Sequence, residues 1–185
     1  MPHPILQETV TRFEAPTHHY SLLCAPGGEL IAFQDGALKL TDDADDSVIW
    51  DRQGNTLTHV VSETTLNVKD GRVTVTVEDQ QITSRIAHGP ENMPSEYLAH
   101  ISEQGWCCIT SVLDPGLVEA LEKIGCTDRY AGREMDRSQN MLLQSPAIAK
   151  TAAEPISLWV TRQYLGLDDI CIGLPPGLAI VDKDD

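Results

Sequence analysis

The spacing of apolar residues along the chain changes near residue 90. Before this point, apolar and polar residues alternate in short stretches bounded by turn formers, which is typical of antiparallel β-strands. After it, apolar residues recur three or four positions apart, which is typical of amphipathic helices. Turn formers fill residues 87–94 between the two regions. The sequence therefore predicts an α+β fold, with an antiparallel β module over residues 1–90 and a helical part over residues 91–185.

Several short strands separated by turns are expected in the β module. The candidate strands cover residues 19–24, 29–34, 37–41, 47–51, 64–69, 72–78 and 81–86. Asp35-Gly36, Gly54-Asn55 and Asp70-Gly71 lie between strands and favour turns. Residues 1–15 carry little pattern and are expected to form an arm or a first strand.

The strongest local pattern in the β module is a hairpin around Asp70-Gly71. A two-residue turn at this dipeptide would pair residue 69 with 72, and therefore 68 with 73 and 66 with 75. In this register the apolar residues of both strands share one face, namely Leu66, Val68, Val73, Val75 and Val77. A sheet with one apolar face needs a second layer to cover it.

The helical part is predicted to begin with a helix over residues 94–104. Pro94 is suited to a first helical turn, where its missing N–H needs no partner, and Gly105 stands where helices commonly end. Tyr97, Leu98 and Ile101 would form the apolar face of this helix. The following residues, 106–113, are largely apolar and predict a short buried strand.

A second helix is predicted over residues 115–125. Asp114 is suited to the N-cap and Pro115 to the first helical position, while Gly125 ends the pattern. The residues of its apolar face are Leu117, Val118, Leu121 and Ile124. The sequence thus predicts helix, strand and helix in succession over residues 94–125.

The remaining sixty residues are less regular. The polar segment 126–141 contains three arginines four positions apart, Arg129, Arg133 and Arg137, which we expect to pair with neighbouring acidic residues. A short helix is predicted after Ser145, and a longer one from Pro155 to Gly166. An apolar strand is predicted over residues 178–181.

The amino-acid composition indicates which classes of partner and which cellular compartment are expected. The 28 acidic and 13 basic residues give a net charge of −15. Nucleic acids and anionic membranes are bound mainly through Lys and Arg, so neither is expected as a partner. No apolar run approaches the roughly 20 residues that a membrane span requires. Five cysteines at irregular spacing predict free thiols, and with them a cytoplasmic protein.

Two local clusters, one of acidic residues and one of histidines, could be interpreted as metal sites, but their patterns favour other interpretations. An EF-hand loop that began at the acidic run 42–46 would need Gly at its sixth position and Glu at its twelfth, where Ser47 and Gln53 stand. A solvated acidic loop is therefore predicted. His18 and His19 would point to opposite faces of a strand, so a surface pair is predicted there.

The helical part resembles the beginning of phytanoyl-CoA dioxygenase-like domains. The matching residues are Gly105-Trp106, Val112-Leu113-Asp114-Pro115 and Tyr164-Leu165-Gly166, and the resemblance covers residues 93–185. It implies the start of a double-stranded β-helix, or cupin-like, oxygenase domain. Family members use Fe(II) and 2-oxoglutarate to hydroxylate small organic substrates. The matching residues serve packing and capping, and none of them is catalytic.

The resemblance also implies which residues should hold iron, and this sequence does not contain them. The family binds iron through a His-x-Asp pair and a distant His, a facial triad with open positions for the cosubstrate and oxygen. None of the histidines is followed by Asp or Glu two positions later; they are His3, His18, His19, His59, His88 and His100. The sequence therefore assigns no catalytic, cofactor-binding or metal-binding residue, and we expect this chain alone to bind neither Fe(II) nor 2-oxoglutarate.

Two main hypotheses for function follow. In the first, the chain is an N-terminal portion or a degenerate relative of an Fe(II)/2-oxoglutarate-dependent oxygenase and is inactive alone. Another chain or a missing C-terminal segment would then complete its sheet. In the second, it is a non-enzymatic binding or interaction module, because residues 18–86 faintly resemble β-trefoil or lectin repeats, with Trp50-Asp51 at a strand end beside a Gly-Asn turn. A thiol enzyme acting through Cys107-Cys108 is a third hypothesis.

Overall fold

A computed structural model describes residues 18–125 and 141–171. Its strands are β1 (Ser21–Cys24), β2 (Leu30–Gln34), β3 (Ala37–Thr41), β4 (Trp50–Gln53), β5 (Thr56–His59), β6 (Thr65–Asn67), β7 (Arg72–Val77) and β8 (Gln80–His88). Its helices are α1 (Pro94–Gln104), α2 (Pro115–Gly125), α3 (Met141–Gln144), α4 (Pro146–Ala152) and α5 (Pro155–Leu165). The described residues therefore form an α+β fold, as the sequence predicts.

All eight strands belong to one antiparallel sheet that is organised around β1. One edge of β1 pairs with β8 along its whole length, from Ser21 opposite His88 to Cys24 opposite Arg85. Its other edge is shared by β2 and β4, which continue into β3 and into β5 and β6 respectively. The sheet curls, so that β3 approaches β7, which pairs with β8.

Curling gives the sheet an apolar interior, which we call the inner core. Its buried members are Leu23, Ile31, Trp50, Leu57, Val68, Val73, Val75 and Val77. Trp50 is fully buried, and its indole N–H donates to the carbonyl oxygen of Ile31 at 3.3 Å. A buried indole is tolerated when its N–H finds an acceptor.

A second apolar cluster, the outer core, joins the opposite face of the sheet to the helices. Its buried members are Leu22, Cys24, Leu30, Ala32, Ala44, Val48, Ile49, Tyr97, Ile156 and Val160. Tyr97 comes from α1, whereas Ile156 and Val160 come from α5. Because adjacent residues of a strand face opposite ways, Leu22 contributes to the outer core and Leu23 to the inner core. Strand β1 is therefore buried on both faces.

The predicted hairpin turn is present, but the strands that flank it do not pair as predicted. Lys69 and Arg72 exchange backbone hydrogen bonds of 2.9 Å around Asp70-Gly71. Beyond this pair, β6 pairs with β5 and β7 pairs with β8, so the predicted pairs 68–73 and 66–75 are wrong. A second tight turn explains the change, because Glu78 and Asp79 adopt positive φ angles of 48° and 65° and return the chain alongside β7.

The predicted apolar face of the residues that flank this turn is confirmed. Val73, Val75 and Val77 are buried in the inner core, while Thr74 and Thr76 are exposed. The period of two in the sequence therefore identified the face correctly, although it did not identify the partner strand.

Two further predictions about strands need correction, and one strand of the structure is additional to those predicted. Strand 47–51 is wrong at its start, because Asp46–Val48 forms a 3₁₀ turn in which the Asp45 carboxylate accepts from the Ser47 N–H. Strand β5 was not predicted. Residues 106–113 contain no strand, and within them Ser111 has a φ of 64°, which is incompatible with a regular strand.

The predicted helices of residues 94–104, 115–125 and 155–165 are confirmed. Gly105 and Gly166 end α1 and α5 with φ angles of 77° and 64°, a conformation that glycine adopts without a Cβ clash. The predictions for segments 1–15, 126–140 and 178–181 fall outside the described residues. The division into two domains near residue 90 stays a prediction, and the outer core packs α1 and α5 directly on the sheet.

Candidate functional site

A cleft of about 440 Å³ lies between the sheet and the helical layer, and we call it the central cleft. Its apolar wall includes Leu22, Leu30 and Val112. Charged side chains from four different segments line the same space, namely Arg85, Asp114, Lys150 and Glu154. An apolar wall with a few convergent charged groups is the usual composition of a small-molecule site.

Glu154 is the most buried charged residue of the central cleft, with 6% of its surface exposed. Its carboxylate accepts hydrogen bonds from the backbone N–H groups of Ile156 and Ser157, at 3.0 and 2.7 Å. The Ser157 hydroxyl donates a third bond of 2.7 Å. Glu154 is therefore the N-cap of α5, and these three donors stabilise its negative charge at the positive end of the helix.

Arg85 reaches the central cleft because of strand register. It stands opposite Cys24 in the β1–β8 pair, which places both residues on the outer face of the sheet. Burial raises the pKa of the Cys24 thiol, and Asp114 raises it further, while Arg85 acts in the opposite direction. The thiol is therefore mainly protonated at neutral pH and is a packing group of the outer core.

The thiols of Cys107 and Cys108 have no feature that would activate them. Partial burial raises the pKa of both, and a nearby thiol or carboxylate raises each one further. A reactive cysteine needs a lowered pKa, usually from a cation or a helix N-terminus. The geometry therefore does not favour the thiol-enzyme hypothesis. The four cysteines within the described ranges are all free.

A second cleft, of about 420 Å³, lies beside the first and is lined by three histidines. We call it the histidine cleft, and its charged or titratable lining residues are His18, His19, Arg52 and His88. His88 lines both clefts. The prediction that His18 and His19 point apart rested on strand alternation, but β1 begins only at Ser21, and both residues line this one space.

A third cleft, of about 370 Å³, is lined by Trp159, Arg162 and three aspartates, Asp42, Asp168 and Asp169. Arg162 forms an ion pair of 3.5 Å with Asp43. The acidic run 42–46 is therefore more than the solvated loop predicted from sequence. Asp46 accepts bonds of 2.9 and 2.6 Å from the N–H and hydroxyl of Ser95, which ties the loop to the start of α1.

The described residues do not fit the iron site that the oxygenase resemblance implies. Within residues 18–125 and 141–171, no group of three or more His, Cys, Asp or Glu is placed to hold a metal ion. Both ring nitrogens of His59 are occupied by hydrogen bonds to Ser62 and Ser47. The ring of His100 packs edge-on against Trp106, with centroids 5.1 Å apart.

Sequence reasoning singled out His18, His19 and the acidic run 42–46, but it did not indicate that Arg85, His88 and Glu154 line these clefts. Arg85 and His88 become neighbours of the helices only through the β1–β8 register, which links distant segments. The sequence does contain a local indication that Glu154 is an N-cap. It immediately precedes Pro155 at a predicted helix start, where an acidic N-cap is favourable. In the part of the chain that the structure covers, no helix is both long and apolar enough to cross a membrane.

Comparison of the chain with protein-family models, with curated proteins and with solved structures finds no match. The resemblance to phytanoyl-CoA dioxygenase-like domains therefore stays an expectation from the sequence. Function has to be inferred from the clefts themselves.

Proposed function

We propose that the central cleft binds a small, partly apolar organic acid, and that the chain contributes this binding to an Fe(II)/2-oxoglutarate-dependent oxygenase. The observation that carries the proposal is the placement of Arg85 and Lys150 in one cleft beside an apolar wall. A volume of about 440 Å³ is within the usual range for small-molecule pockets.

The charges in the central cleft favour a carboxylate as one end of the ligand. Cations are scarce in this protein, which has 13 basic residues against 28 acidic ones, yet two of them line this cleft. The negative charge of Glu154 is already stabilised by three donors from α5. Against the carboxylate of Asp114, Arg85 and Lys150 leave one net positive charge to attract an anion, and guanidinium groups match carboxylates in geometry.

The other side of the cleft suits the rest of such a ligand. Leu22, Leu30 and Val112 provide an apolar surface for a hydrocarbon chain. The carboxylate of Asp114 lines the same cleft and can accept a hydrogen bond from a hydroxyl or amino group. The ligand class is thus an aliphatic acid, with or without a second polar group.

The oxygenase part of the proposal rests on the order of elements. Helix α1, helix α2 and a later helix ending in Tyr164-Leu165-Gly166 follow the order of phytanoyl-CoA dioxygenase-like domains, although the strand that the family has between the first two is not present here. In this proposal residues 93–185 are the start of a double-stranded β-helix, or cupin-like, domain. The described residues supply no iron site, so we assign them binding and no chemical step.

A non-enzymatic binding module is the second candidate function. It is favoured by the curled sheet, which has an inner core of its own. The module would use the same cleft without any oxygenase chemistry. A glycan array would distinguish this candidate from the organic-acid site, because a lectin-like module should bind sugars and an organic-acid site should not.

A direct test compares hexanoate with hexanol, which have the same chain length and differ in charge. Titrations followed by amide NMR are expected to show tighter binding of hexanoate, with shifts at Leu22, Leu30 and Val112. Arg85→Gln should weaken hexanoate binding by about tenfold, because a charge-assisted hydrogen bond is lost. Equal binding of the acid and the alcohol would contradict the proposal.

Arg72→Gln is the matched control for this test. Arg72 stands opposite Arg85 in the β7–β8 pair and shares its face of the sheet, but it does not line the central cleft. Hexanoate binding should be unchanged in this variant. A loss as large as that of Arg85→Gln would indicate a general effect of surface charge.

A further inference from the structure

We propose that the histidine cleft is a second binding site, which takes a tetrahedral oxyanion of the phosphate class. Three imidazoles, the guanidinium of Arg52 and the hydroxyl-bearing Ser21 line one space of about 420 Å³. All of the polar groups except Ser21 are cationic or can become cationic. Such a set matches an anion with several acceptor oxygens.

Backbone hydrogen bonds hold His19, which precedes β1, beside His88 on β8. The Tyr20 N–H donates to the Pro90 carbonyl at 2.8 Å, and the Gly89 N–H donates to the Tyr20 carbonyl at 3.0 Å. These bonds extend the β1–β8 pairing to Tyr20, the residue before the first residue of β1. A Cβ at Gly89 would lie 3.0 Å from the backbone of Tyr20, so glycine permits this close approach. His19 and His88 are consequently stacked, with ring centroids 4.5 Å apart.

The stacking geometry disfavours a metal ion at this place. A metal bound to an imidazole nitrogen lies close to the plane of the ring. The rings of His19 and His88 are nearly parallel, with 11° between their planes, so one ion cannot lie in both planes. Arg52 in the same cleft adds a permanent positive charge, which also opposes a cation.

The charged groups around His19 determine when the site can bind. His18 lies before β1, His88 on β8, and Asp51 and Arg52 on β4; the ring of Tyr20 lies edge-on to that of His18, with centroids 5.0 Å apart. The carboxylate of Asp51 lies 3.8 Å from a ring nitrogen of His18. Arg52 and, once it is protonated, His19 supply positive charge to the rest of the cleft.

Titration of His19 couples the site to pH. Burial lowers the pKa of His19, and the imidazoles of His88 and His18 lower it further. His19 is therefore mainly neutral at neutral pH and adds a positive charge to the cleft in acid. A bound anion favours the protonated imidazole, so by linkage the affinity for the anion must rise as the pH falls.

Sulfate is the first probe, because its charge is constant over the range in which histidine titrates. Imidazole NMR signals of His19 and His88 should move saturably with sulfate at about pH 5.5, and at least fivefold higher sulfate should be needed at about pH 8. Inorganic phosphate and phenyl phosphate should compete with sulfate. Competition by phenyl phosphate alone would identify a phosphate ester as the ligand, whereas competition by both would indicate the shared phosphate group.

Variants test whether the named residues form the site. His19→Gln and Arg52→Gln should each weaken sulfate binding at about pH 5.5 by about fivefold or more, because each removes a charged donor. His100→Gln, which changes a histidine outside the cleft, should have no effect. Binding that does not depend on pH, or that survives His19→Gln and Arg52→Gln unchanged, would overturn the proposal. Because it rests on different residues, its failure would leave the organic-acid site intact.

Discussion

Nε2 of His59 lies 2.9 Å from the carbonyl oxygen of Ser47, and this contact defines the protonation state of the ring. On the other side of the ring, Nδ1 accepts a hydrogen bond of 3.1 Å from the Ser62 N–H. Because a backbone N–H can only donate, Nδ1 must be unprotonated and Nε2 must carry the proton. His59 is thus a neutral imidazole, 1% exposed, packed between the rings of Trp50 and Phe33.

Replacing His59 should be among the more destabilising single changes in the β module. His59→Ala removes both hydrogen bonds and leaves a cavity beside Trp50, so we expect a loss of about 2–4 kcal/mol in the free energy of unfolding. His100→Ala is the control, since His100 is exposed and should change the stability by less than about 0.5 kcal/mol. Urea unfolding of both variants decides, and a small effect for His59→Ala would contradict a structural role for its hydrogen bonds.

Stability should fall as the pH is lowered through the range in which histidine titrates. Burial lowers the pKa of His59, although its bond to Ser47 and the Asp45 carboxylate act in the opposite direction, and burial also lowers the pKa of His19. When a histidine has a lower pKa folded than unfolded, the unfolded chain binds more protons below about pH 6.5, so acid favours unfolding.

The measurement is the urea midpoint at about pH 7.5 and about pH 5.5, a window above the titration of most carboxylates. We expect a lower midpoint at the acidic pH, and a smaller pH effect in a His19→Gln variant. The carboxylates of Asp35 and Glu119, whose pKa values are lowered by hydrogen bonds from Lys39 and Lys123, lose their contribution only at lower pH. A urea midpoint that is higher at the acidic pH would contradict the assignment of neutral imidazoles to His59 and His19.

The carboxylate of Glu154 should contribute to stability through α5. Glu154→Ala removes the acceptor for the N–H groups of Ile156 and Ser157 in a buried setting, and should cost about 1–3 kcal/mol. Glu154→Gln keeps one acceptor oxygen and should cost less. Thermal unfolding of both, with the exposed Glu103→Ala as control, provides the test. Equal effects of Glu154→Ala and Glu103→Ala would show that the cap is unimportant.

Two glycine-to-alanine changes should shift stability in opposite directions. At Gly89 a Cβ would lie 3.0 Å from the Tyr20 backbone, so Gly89→Ala should destabilise the β1–β8 junction by about 1–3 kcal/mol. At Gly116, in α2, a Cβ meets nothing within 4 Å, so Gly116→Ala should stabilise the helix by about 0.5–1 kcal/mol. The difference in melting temperature between the two variants is the readout, and a shared sign would refute the close approach at Gly89.

Fe(II) and 2-oxoglutarate should not bind tightly to the purified chain. None of the described histidines is grouped with two further ligands, and a facial triad needs all three. Anaerobic titration with Fe(II), followed by the absorbance of the iron–2-oxoglutarate complex, is the measurement. A stoichiometric complex would show that the ligands lie outside the described residues or form only in the presence of the metal.

Features encoded by adjacent residues could be predicted from the sequence, whereas those that depend on distant segments could not. Gly105 and Gly166 end helices because of their own backbone freedom, and Pro94 and Pro155 begin them for equally local reasons. The turn at Asp70-Gly71 was also correct, but the turn at Glu78-Asp79 decides where β7 pairs, and no glycine marks it.

The same distinction explains why the clefts were not foreseen. Arg85 and Lys150 lie far apart in the chain, and only the packing of the helices on the outer face of the sheet brings both to one space. The histidine cleft depends on the register of β1 against β8, which places His88 beside His19. The hydrophobic pattern and the residue propensities indicate which face of a helix or strand is buried and where it ends. The register between distant strands depends on the packing of the whole sheet.

The pairing of β1 with β8 also constrains how the protein can assemble during its synthesis. Strand β1 leaves the ribosome well before β8, its partner along one whole edge, because β8 ends at His88 after six other strands have been made. Until then, an apolar strand with an open edge is exposed to the solvent and to other nascent chains. Long-range pairing of this kind slows folding and favours aggregation of incomplete chains. We therefore expect translation up to residue 88 to be the stage at which a chaperone is most useful to this protein.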